Sequence, residues 1–94
     1  MQQLRYVLAQ NYSLIFVTES WLSDSITNGL IDESHSYNIY RKDRQFKRGG
    51  GVIGFVSNTL HSYAVLLSSK YDLLELTCFC IVTSLGTFRF IIVY

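Results

Sequence analysis

The chain has 94 residues, 49% of them hydrophobic, and a formal net charge of +1. That length holds one small domain with a marginal core, and that apolar content excludes a disordered or low-complexity protein. The near-neutral balance excludes a uniformly basic protein, so any attraction for phosphate has to be local.

Residues 2–10 set Leu4, Val7 and Leu8 at helical spacing. This predicts a short amphipathic helix that packs on a sheet, with Asn11 as its stop signal. A strand follows at 13–18, and its apolar run 14–17 predicts burial on both faces. Glu19 stands where that strand ends. An acid there lies at the rim of a sheet, where ligands of open α/β sheets bind, although a helix cap or a plain surface charge has the same signature. In the polar stretch Ser20–Ser36, Ser23 or Asp24 is placed to cap one helical turn.

Residues 37–43 alternate as a strand with one exposed face. The stretch 41–48 then gathers Arg41, Lys42, Arg44, Lys47 and Arg48 against Asp43. It carries about +4 and leaves about −3 for the remainder, which suits a local phosphate-binding patch and equally a solvated hairpin. Gly49-Gly50-Gly51 leads into a strand from Val52 to Val56. No Walker-type Gly-Lys-Ser/Thr or dinucleotide fingerprint is present, and a strand rather than a helix follows, so a helix N-terminus does not cradle phosphate here. The glycines predict a tight turn or a close backbone approach.

His61–Leu67 reads as another short strand, and 73–83 and 87–94 as two more joined by a hairpin at Ser84-Leu85-Gly86-Thr87. Pairing Thr83 with Phe88 sets Phe79 opposite Ile92 and Cys80 opposite Ile91. Both faces of that ladder are then mostly apolar, which predicts a sheet covered on both sides. Cys78 and Cys80 share one face. Zinc needs two further ligands, while His35 and His61 lie in unrelated segments, so buried free thiols in a reducing compartment are expected. No apolar run reaches the ~18 residues of a membrane span. The first residues also lack the apolar core of a signal peptide. The expectation is an intracellular protein, nuclear or cytoplasmic, without a membrane partner. The end on Phe-Ile-Ile-Val-Tyr predicts a piece of something larger, with a sheet edge open to self-association.

Nucleophilic catalysis finds no motif around either histidine. Asp32-Glu33 reads as an exposed acidic dipeptide in a polar loop, whose adjacent side chains are expected to diverge. Glu19 remains, a hard oxygen ligand of the kind magnesium accepts.

Four elements occur in order: Thr18-Glu19-Ser20-Trp21-Leu22-Ser23-Asp24-Ser25-Ile26, Tyr40-Arg41-Lys42-Asp43-Arg44, Arg48-Gly49-Gly50-Gly51-Val52 and Ile91-Ile92-Val93-Tyr94. From about residue 4 to the last, the chain resembles the endonuclease domain of non-LTR (LINE-type) retrotransposons, within the endonuclease/exonuclease/phosphatase superfamily. The resemblance implies an α/β fold, a four-layer sandwich of two mixed sheets with helices outside. This chain would be its N-terminal half, a strand-rich part with one short N-terminal helix. It further implies magnesium-dependent nicking of DNA to prime reverse transcription. Glu19 matches the metal-binding glutamate and Tyr94 the active-site tyrosine that supports the scissile phosphate. Trp21 stands where repair-type relatives carry a lysine, a departure that favours the retrotransposon branch. Arg41, Lys42, Arg44, Lys47 and Arg48 are then candidate contacts to the DNA backbone, sequence-independent and salt-sensitive. The family's metal-site asparagine would precede Met1, and its Gly-Asp-Phe-Asn and Ser-Asp-His elements would follow Tyr94, so the chain alone is expected not to cleave. Two alternatives stay open: a non-catalytic nucleic-acid or protein interaction piece, and a phosphatase or phosphodiesterase of the same superfamily.

Overall fold

A computed structural model describes residues 2–23, 25–44 and 49–94. Helix α1 (Gln2–Leu8) turns its apolar face, with Leu4 and Leu8, onto the core and leaves Tyr6 exposed. It stops at Asn11, whose φ of +61° lies in the left-handed region that asparagine tolerates better than most residues. Helical turn α2 (Asn28–Ile31) starts later than expected. Its cap is Thr27, whose Oγ1 accepts from the Leu30 N–H at 3.3 Å. Ser23 instead offers its carbonyl to the Ile26 N–H at 2.9 Å, and Asp24 lies outside the described residues. The core sets the phase of this turn, because Ile31 at its end is the residue that is buried.

The first sheet contains β1 (Leu14–Thr18), β2 (Tyr37–Lys42) and β3 (Val52–Ser57), in the order β1-β3-β2 with antiparallel neighbours. The central strand is β3, with Val52, Ile53, Phe55 and Val56 fully buried. The expectation that β1 is buried on both faces is therefore corrected: Phe16 is 47% exposed, and β1 is a flanking strand. An apolar run marks a strand, but it does not say which strand takes the middle of the sheet.

The second sheet holds β4 (His61–Ala64), β5 (Leu76–Thr83) and β6 (Gly86–Val93), antiparallel in that order, with a 3-10 turn at Ser69–Tyr71 before β5. The strand expected over 61–67 leaves the sheet after Ala64, and Leu66 is almost wholly exposed. In the hairpin, Thr83 pairs with Gly86 rather than Phe88, so Phe79 faces Phe90 and Cys80 faces Arg89. The shift is two residues, which keeps every side chain on its expected face. Thr83 closes this shorter loop: its hydroxyl accepts from the Leu85 N–H at 3.2 Å and donates to the Gly86 carbonyl at 3.1 Å. Two-residue loops are also the commonest hairpin connection.

Strand alternation splits the core in two. Ile53 and Phe55 pack with Leu8, Leu22, Ile31 and Tyr37 on the helix side. Val52 and Val56 pack with Phe79, Ile81 and Ile92 between the sheets. Gly54 permits this closeness, since a Cβ there would stand 2.8 Å from both Phe79 Cε1 and Ile92 Cδ1. Phe79 also stacks on Tyr40, with ring centroids 4.7 Å apart. The result is a strand-rich mixed α/β arrangement of helix, sheet and sheet.

The outer face of the second sheet does not have the predicted cover, because Ile91 and Val93 on β6 are 60% and 58% exposed. Helices α1 and α2 lie on the far side of the first sheet, too far away to shield it. Cys78 and Cys80 are free thiols and buried, and burial pushes the Cys78 thiol above its ordinary range. No described helix is long and apolar enough to cross a membrane.

Candidate functional site

The two sheets end side by side. Past the Thr18–Val52 pair, the chain keeps exchanging backbone hydrogen bonds with the glycine run: Ser20 N–H to the Gly51 carbonyl at 3.3 Å and Trp21 N–H to the Gly50 carbonyl at 3.0 Å. Gly51, at φ +87°, brings its backbone so near that a Cβ would stand 2.7 Å from Ser20 Oγ. In the second sheet, Tyr94 follows β6 and its N–H donates to the Glu75 carbonyl at 3.0 Å, so these two residues face each other beyond the Leu76–Val93 pair.

This convergence joins Glu19 to Tyr94. The tyrosine hydroxyl donates to Glu19 Oε1 at 2.6 Å, across 75 residues of sequence. That hydrogen bond, followed by desolvation, raises the Tyr94 phenol above its ordinary range. The phenol is thus a neutral donor throughout the physiological range. Glu19 itself holds a φ of +52°.

Glu75 completes the cluster. Its Oε1 accepts from the Gly51 N–H at 2.6 Å, and its Oε2 from Arg44 Nη2 at 2.9 Å. The Arg44 hydrogen bond and then the Gly51 N–H hold this carboxylate below its usual range, and Arg44 is raised in turn. The Arg44 guanidinium also lies 5.6 Å from the centre of the Tyr94 ring, within cation–π reach. Sequence reasoning passed over Glu75. Its signal was the same as that of Glu19: one acid beside an apolar strand, here within Leu73-Leu74-Glu75-Leu76.

The described basic residues of the stretch, Arg41, Lys42 and Arg44, are distributed rather than gathered. Arg41 ties the loops together, with Nη2 2.6 Å from Asp43 Oδ2, Nη1 2.9 Å from Asn28 Oδ1, and a further bond to the Ser23 carbonyl. Lys42 donates to the Asp72 carbonyl at 2.8 Å. Of the five basic residues, Arg44 stands at the Glu19–Tyr94 pair; Lys47 and Arg48 lie outside the described residues.

Comparison with known proteins gives no matching family model, no matching curated protein and no matching solved structure. The functional reading therefore rests on the residues themselves.

Magnesium is commonly held by one or two carboxylates, with waters and substrate phosphate completing its shell. Exposed Glu19 fits the part of one such carboxylate, whereas Glu75 is committed to Arg44 and Gly51. Among the described residues no group of three or more His, Cys, Asp or Glu stands together. The arrangement offers one carboxylate, one phenol donor and one anchored guanidinium at a common rim, a set suited to an anionic, oxygen-rich group.

Proposed function

We propose that the chain carries the glutamate–tyrosine part of a phosphodiester-cleaving site of the retrotransposon endonuclease type. The observation that carries this reading is the 2.6 Å contact between Tyr94 Oη and Glu19 Oε1, the two residues that the resemblance assigns to the metal and the scissile phosphate. The layering supports it too: one helix outside two facing sheets corresponds to three of the four layers of the endonuclease/exonuclease/phosphatase sandwich.

In this reading Glu19 would hold magnesium, which when bound supplies Lewis acidity toward a phosphoryl oxygen. The chain's own groups receive the phosphodiester. With Glu19 engaged by the metal, the single hydroxyl proton of Tyr94 would leave Glu19 and turn to the charge that develops on a phosphate oxygen. Glu75 fixes Arg44 so that its cation faces the same oxygens without reorganising. Lys42 and Arg44 add sequence-independent attraction for the backbone. The sequence has no Gly-Asp-Phe-Asn or Ser-Asp-His element, so it supplies no group to orient an attacking water, and binding without cleavage is the expected behaviour of the chain alone.

Magnesium and duplex DNA titrations followed by amide NMR test the reading. Magnesium is expected to shift the Glu19 and Tyr94 resonances, and Glu19→Gln to abolish the shift. DNA is expected to bind at low salt and release as salt rises, without nicks. No response to either ligand overturns the reading. Magnesium-dependent nicking of plasmid DNA that vanishes in Glu19→Ala keeps the phosphodiester site and overturns its inactivity.

A further inference from the structure

Trp21 breaks two local rules beside Glu19. It is 61% exposed, although a large aromatic ring ordinarily goes inward. Its φ is +57°, and Glu19, two residues before, stands at +52°. Bulky residues rarely take the left-handed region, and such outliers gather at ligand sites.

The ring is nevertheless held in place. The Trp21 N–H is anchored on the Gly50 carbonyl, and the indole lies along Gly49, where a Cβ would stand 3.1 Å from Cζ2. Glycine at that position lets the ring rest on bare backbone. Behind it, a hollow of about 450 Å³ runs between Leu4 and Val7 of α1 and the segment Val17, Glu19, Ser20 and Trp21. That volume lies within the roughly 300–1,000 Å³ usual for small-ligand sites. Ser20 also lines it, and its Oγ is buried without a hydrogen-bond partner among the described residues.

We infer that Trp21 is a stacking platform for a nucleobase of the DNA strand whose phosphodiester reaches Glu19 and Tyr94. The inference rests on the proposed function and adds what lies beside the phosphate. Glu19 and Trp21 stand two residues apart and line the same hollow, so a phosphodiester delivered to Glu19 brings a neighbouring base toward the ring. A fixed aromatic face next to backbone-binding groups is how proteins grip single strands without reading their sequence.

The sequence has one tryptophan, so intrinsic tryptophan fluorescence reports on Trp21 alone. The intact chain is titrated at low salt with a thymidine oligonucleotide and with an abasic oligonucleotide of equal length and charge. Quenching is expected with the first and not with the second. By anisotropy, Trp21→Ala is expected to bind the labelled thymidine strand roughly 5- to 150-fold more weakly, the worth of one stacked base. Its affinity for the abasic strand is expected to be unchanged, and Trp21→Phe to recover most of the loss. Equal affinity and equal quenching with both strands overturn the stacking role and leave the phosphodiester site standing. A base-dependent affinity that Trp21→Ala does not alter also overturns it. Binding of neither strand overturns the underlying site as well.

Discussion

Tyr94 and Glu75 respond to pH in opposite directions, and both signs follow from their partners. Donation to Glu19 raises the Tyr94 phenol, so the unfolded chain loses that proton first. Its contribution to stability is complete below the ordinary tyrosine range and is lost as pH rises through the folded value. Arg44 and the Gly51 N–H lower Glu75, so its contribution is present above the ordinary glutamate range and is lost as pH falls through the folded value. Urea midpoints measured across pH should therefore decline at both ends. Tyr94→Phe is expected to flatten the alkaline limb and Glu75→Gln the acid limb; variants with the wild-type profile would contradict the pairing. At this scale the positions of Glu19 and Tyr94 just past a strand were legible in the sequence, because each follows an apolar run. Glu75 was not, because its meaning depends on Arg44 and Gly51, which only folding brings to it.

Among the elements, the close approach of the sheets depends on Gly54. Phe79 fills the space over its Cα, wedged beside Tyr40 and Phe90. Gly54→Ala is expected to force these rings apart and cost about 1–3 kcal/mol, the usual penalty for overpacking a filled core. Denaturant unfolding checks it, and an unchanged midpoint would mean that the sheets are not packed this way. Hydrophobic period located the strands well, since β2, β3, β5 and β6 lie close to their expected spans. It erred where a neighbour decides. Thr83 closes the hairpin two residues earlier than expected, and β3 rather than β1 takes the middle of its sheet.

For the molecule as a whole, the uncovered face of the second sheet governs behaviour in solution. Ile91, Val93, Leu66 and Leu73 are all at least half exposed. Exposed apolar side chains of this size favour association. At micromolar concentration the chain is expected to sediment as dimers or larger species, and Ile91→Lys, on the exposed face of β6, to shift it toward monomer. A clean monomer at every concentration would contradict this.

The sequence by itself determined the strand and helix content and the two free buried thiols, because alternation and residue volume are local properties. Tertiary structure decided what stands opposite what. It turned Arg41 into a tie between loops, set Arg44 and Glu75 at the tyrosine, and left Trp21 exposed on a bare glycine backbone. Those outcomes depend on distances between segments far apart in the chain, which no local pattern encodes.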